Sequence, residues 1–81
     1  MTIKELRDCM TSDAFIKVYT VNDYGKDVVL YDEYKEYDGE NEEPHGSKWE
    51  SVKDETVDML WATFKGHDSI INVYIKDEED W

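Results

Sequence analysis

Val57-Asp58-Met59-Leu60-Trp61-Ala62-Thr63-Phe64 carries two periodicities at once, and the fold turns on which of them wins. Val57, Leu60, Trp61 and Phe64 fall at i, i+3, i+4 and i+7, as on one face of a helix. Val57, Met59, Trp61 and Thr63 also alternate, as on one face of a strand. Gly66-His67-Asp68 comes next, and residues 69–76 (Ser-Ile-Ile-Asn-Val-Tyr-Ile-Lys) read as a strand. A three-residue loop suits a hairpin, and Gly66 equally suits the end of a helix. The hairpin is the reading adopted.

The rest of the chain supports a sheet. Residues 14–21 (Ala-Phe-Ile-Lys-Val-Tyr-Thr-Val) are rich in β-branched and aromatic side chains and predict a strand. Asn22-Asp23-Tyr24-Gly25-Lys26 supplies turn chemistry, and residues 27–34 return as a second strand, completing a hairpin. Ahead of it, Thr2-Ile3-Lys4-Glu5 has the form of a capping box. Ile3, Leu6, Cys9 and Met10 then recur at helical spacing, predicting a short amphipathic helix to about Thr11 with Cys9 on its buried stripe. Ser47-Lys48-Trp49-Glu50 resembles a second capping box, opening a short helix that turns Trp49 and Val52 inward. Trp61 and Tyr31 are expected in the core as well. The expected fold is a small single α+β domain over residues 1–81. It has an N-terminal helix, an antiparallel sheet of about four strands and a short second helix. An acidic loop (38–47) and an acidic tail (77–81) complete it.

Chains of 81 residues bury only about 60–70% of the surface they expose when unfolded, so the core must be compact. The charge is extreme: 21 Asp and Glu against 9 Lys and Arg, net −12. Such a surface repels phosphates, which argues against direct binding of nucleic acid or of an anionic membrane. It attracts basic partners instead. Cys9 is the only cysteine, so no internal disulfide forms and a reducing, cytoplasmic home fits. No apolar run approaches the roughly 20 residues that span a bilayer.

Much of that charge gathers in residues 31–43, Tyr-Asp-Glu-Tyr-Lys-Glu-Tyr-Asp-Gly-Glu-Asn-Glu-Glu. Asp32, Glu33, Glu36, Asp38, Glu40, Glu42 and Glu43 face a single cation there, Lys35. Asp38, Glu40 and Glu42 alternate like the first ligands of a calcium loop, but Glu43 stands where that loop needs glycine. His45, His67 and Cys9 lack zinc-site spacing, so no cofactor or metal is expected. Catalysis finds no nucleophile with a positioned base and no phosphate-cradling glycine motif, so an enzyme is not expected. Recognition is the remaining chemistry. Carboxylates on alternate strand positions stand about 6.6–6.8 Å apart, near every second phosphate step of one DNA strand. Tyr37 lies inside the charged run and is the candidate aromatic anchor.

An N-terminal Met-Thr-Ile-Lys-Glu-Leu helix, an Ile-Lys-Val-Tyr strand, an acidic connector and a closing Ile-Asn-Val-Tyr-Ile-Lys strand together resemble the small acidic proteins of bacteriophages and mobile elements. Anti-CRISPR proteins are among these. The resemblance implies an inhibitor, in the cytoplasm of a bacterial host, that occupies the basic nucleic-acid-binding cleft of a partner such as a CRISPR-Cas effector. On that expectation Asp32, Glu33, Glu36, Asp38, Glu40, Glu42 and Glu43 supply charge, with Tyr37 as anchor. The other expectation is an assembly module that self-associates through an exposed sheet edge or its Tyr and Trp surface, with acidity serving solubility.

Overall fold

The computed structural model describes residues 1–10, 13–36 and 44–75. Tyr37, Asp38, Glu40, Glu42, Glu43 and the tail at 77–81 lie outside the described residues. The elements run α1 (Ile3–Asp8), β1 (Ala14–Val21), β2 (Asp27–Asp32), α2 (Glu33–Glu36), α3 (Ser47–Val52), β3 (Val57–Lys65) and β4 (Asp68–Ile75). The result is a small α+β domain, and residues 57–65 are a strand. Tertiary pairing settled the double periodicity: β3 holds register with β4 from Leu60↔Val73 to Lys65↔Asp68. Gly66 turns the hairpin at φ 64°, a backbone region in which a side chain is strained.

The sheet order is β2-β1-β4-β3. Both hairpins are antiparallel, but β1 and β4 run parallel from Ala14↔Ser69 to Tyr19↔Tyr74. The sheet is therefore mixed, where a purely antiparallel one was expected. The reason is burial. β1 and β4 carry apolar side chains on both faces, and the centre is where a strand has both edges paired.

One face holds the core. Ala14, Ile16 and Val18 of β1 and Val73 of β4 point there, buried beneath Ile3, Trp49 and Val52 of the helices. α1 begins at the capping box read from sequence: Thr2 Oγ1 accepts from Glu5 N–H at 3.1 Å and Glu5 Oε1 accepts from Thr2 N–H at 2.9 Å. It ends at Asp8, earlier than predicted, so Cys9 is the C-cap residue and is exposed instead of buried. The second capping box does not form. Gly46 is the N-cap of α3, Ser47 already lies inside the helix, and no side chain caps it. Trp49 still reaches the core, with 6% of its surface exposed, against Tyr31 at 5.4 Å between centroids.

Tyr31 is 2% exposed, and its burial, reinforced by the charge of Glu33, pushes its phenol up to about 12 from 10.0. Between those values the folded chain keeps a proton that the unfolded chain has lost, so stability falls as pH rises through that window. Below pH 10 this group contributes no pH dependence. Urea unfolding just below pH 10 and again near pH 12 should show wild type losing about 2–3 kcal/mol more than Tyr31→Phe. Equal losses in the two proteins would remove Tyr31 from the alkaline transition.

Candidate functional site

Three of the carboxylates singled out in the sequence are visible, and each already has a cation of this chain. β2 stops at Asp32 because Asp32 Oδ1 accepts from the Lys35 N–H at 3.3 Å, and the chain coils into α2. The expected strand to Tyr34 is thereby cut short. Asp32 Oδ2 also lies 3.8 Å from Lys17 Nζ. Glu36, on the surface, meets Lys48 Nζ at 3.3 Å. Glu33 is the largest departure from expectation. Only 4% exposed, it accepts from Arg7 Nε and Nη2 at 2.9 Å each and from the Ile16 N–H at 2.9 Å. A carboxylate held by a two-pronged guanidinium and a backbone donor is part of the scaffold, and no partner can reach it. Asp38, Glu40, Glu42, Glu43 and Tyr37 are outside the described residues, so within the run at 31–43 the carboxylates that are described are the ones paired with cations of this chain.

The open face of the sheet, opposite the helices, is aromatic. Trp61 lies there, half-buried, instead of in the core. It stacks on Tyr19 at 5.6 Å and packs against Tyr74 at 5.0 Å. Beneath the rings Asn72, 3% exposed, joins three strands: Tyr19 Oη donates to Asn72 Oδ1 at 3.1 Å, and Asn72 Nδ2 donates to Thr63 Oγ1 at 3.0 Å. Tyr74 Oη donates to Asp27 Oδ1 at 2.7 Å, a bond that holds the Tyr74 phenol above its ordinary value. A groove of about 330 Å³ runs along this face. Lys17 and Lys65 flank it, their ammonium groups 5.4 Å and 4.8 Å from the centroids of Tyr19 and Tyr34. No buried side-chain N or O among the described residues lacks a partner, so the groove floor presents no unanswered group to a ligand. Among the described residues no three His, Cys, Asp or Glu side chains converge to hold a metal ion, and His45 and His67 are exposed. No helix there is long and apolar enough to cross a membrane.

The two sheet edges differ sharply. β2 is six residues long, has a register break opposite Val18/Tyr19 that leaves Leu30 unmatched, and carries Asp27 and Asp32. Charges and bulges of this kind discourage strand addition. β3 is nine residues long, and its break, which leaves Asp58 unmatched, falls at one end. The N-terminal segment guards only that end: Thr2 bridges Thr56 and the Val57 N–H donates to Met1 O at 2.9 Å. From Met59 to Phe64 there is no charge and no proline, in a chain that is 37% charged. Pairing with Val73, Ile71 and Ser69 sets Leu60, Ala62 and Phe64 on the helix side of the sheet. α2 and α3 lie over β1 and β2 instead, and Leu60 stays 47% exposed, Met59 57% and Phe64 78%. Sequence reading had placed this strand but not its position at the edge. The charge-free run at 59–64 was the available signal. Comparison with protein-family models, with curated proteins and with solved structures finds no match to this chain.

Proposed function

We propose that this chain is a non-catalytic assembly module that joins another polypeptide through the free edge of β3. One observation carries the reading: β3 is a long edge strand, free of charge from Met59 to Phe64, with large apolar side chains exposed on both faces. Such an edge is a template for strand addition, in which backbone hydrogen bonds supply affinity and alternate side chains supply selectivity. The groove on the open face and the neutralised carboxylates of β2 and α2 offer nothing comparable.

The net charge of −12 favours a second reading, capture of a basic nucleic-acid-binding cleft by the acidic connector, with a CRISPR-Cas effector as one such partner. Salt and surface substitutions separate the two. A lysate pull-down with wild type and with Leu60→Lys/Phe64→Lys, washed at low and then high salt, is the experiment. Both substituted residues are exposed, so the variant should keep its fold. The edge reading expects proteins that survive the high-salt wash on wild type and vanish with the variant. Proteins that the variant retains in full and that high salt strips from both would replace it with the acidic reading.

A further inference from the structure

The β3 edge admits a particular occupant, an inference that rests on its reading as a docking edge. We infer that β3 pairs antiparallel with β3 of a second copy across a two-fold axis at Ala62, joining two sheets into one of eight strands. Three observations lead there.

The first is geometric. The break at Asp58 and the turn at Gly66 bound a regular run, Met59 to Lys65, whose midpoint is Ala62. In a two-fold antiparallel pair, directly opposed residues share a face, so residue i meets a residue an even number of positions away. Centring on Ala62 sets Leu60 opposite Phe64 of the second copy, twice by symmetry, with the small Ala62 pair between them. On the other face Trp61 meets Thr63 and Met59 meets Lys65. Moving the axis to Trp61 would set Phe64 against the Asp58 carboxylate. Moving it to Thr63 would leave Leu60 and Met59 beyond the paired run. Only the Ala62 register covers all three exposed apolar side chains of the strand.

The second is electrostatic. Residues 57–67 hold one Asp and one Lys, in a chain of net charge −12. Two copies repel one another, and the β3 edge, with its one Asp and one Lys, adds no net like charge of its own to that repulsion. The third is topological. β2, with its acidic flank, is the far edge of the sheet. In the eight-stranded sheet the two copies of β2 stand seven strand spacings apart, about 34 Å. At ordinary ionic strength the screening length is about 8 Å, so the acidic flanks barely sense each other.

Light scattering from low micromolar to millimolar chain, at low and at high salt, is the first readout. The expected result is a monomer–dimer equilibrium with no larger species, tightened by salt. Leu60→Lys/Phe64→Lys weakens it by at least roughly tenfold, since both Leu60–Phe64 contacts are lost and lysines are brought together. The second readout fixes the register in a Cys9→Ser background. Opposed Cα atoms lie about 4.5–5.5 Å apart, within the span of a disulfide, so Ala62→Cys gives a covalent dimer on mild oxidation. Leu60→Cys does not, because its two copies sit four residues apart along the strand, about 13 Å. A monomer throughout overturns the second copy, and it leaves capture of other proteins by β3, if retained, as evidence for the docking edge alone. A dimer linked through Leu60→Cys and not through Ala62→Cys overturns the register.

Discussion

Glu33→Ala should destabilise the fold by about 3–5 kcal/mol, the usual cost of stripping one partner from a buried ion pair. The substitution leaves the Arg7 guanidinium, 11% exposed at its side chain, without its carboxylate, and leaves the Ile16 N–H without its acceptor. Against a total of roughly 4–12 kcal/mol for 81 residues, that loss takes a quarter of the stability or more. Replacing both partners, Arg7→Met with Glu33→Leu, should recover most of it, since the guanidinium and the carboxylate are then removed together. A deficit of about 1–3 kcal/mol should persist from the Ile16 N–H. Urea midpoints of Glu33→Ala, of Arg7→Met, of Glu33→Leu and of the double variant measure this directly. Additive losses in the double variant would mean that Arg7 and Glu33 do not act as a pair. The same result bears on function: a residue whose removal costs the fold this much cannot be scored as a partner contact by loss of binding alone.

Trp49→Ala is the other severe substitution, expected at about 3–5 kcal/mol. Trp49 is the main apolar anchor of α3, seated on Tyr31 and packed in the cluster with Ile3, Ile16, Val18, Val52 and Val73. A six-residue helix cannot persist unaided, so loss of the ring frees α3 along with its contacts to β2. Chemical denaturation measures the cost, and amide exchange locates it: residues 47–52 should lose protection before the central strands. A loss below about 1 kcal/mol would show that α3 is held by something other than this ring.

The physical code was legible where local chemistry decides. The Thr2/Glu5 box, the Asn22–Lys26 turn and the first hairpin follow from residues near one another, and Asn22 Oδ1 accepts from both Tyr24 and Lys26 N–H groups in that turn. Glu33 was misplaced because its partners lie 26 and 17 residues away, and nothing local marks one glutamate in an acidic run as the buried one. Trp61 was misplaced because alternation says that a strand has two faces without saying which face the helices cover. The parallel centre was missed because pairing between hairpins is decided by which strands are most apolar on both sides. In the candidate site, β3 was read as a strand, and its edge position became visible only with the strand order.

That parallel centre has a consequence for how the chain acquires its shape. Ile16 and Ile71 are partners across 55 positions of sequence, and among the described residues this long-range seam is the only strand pairing between the two hairpins. Each hairpin alone is a two-stranded ribbon, marginal in water. The first can form early on the ribosome, but it gains a companion only after β4 has emerged. Until then β3 waits with both flanks bare. The domain therefore closes all at once when β4 arrives, and newly made molecules meet one another at their stickiest just before that seam forms.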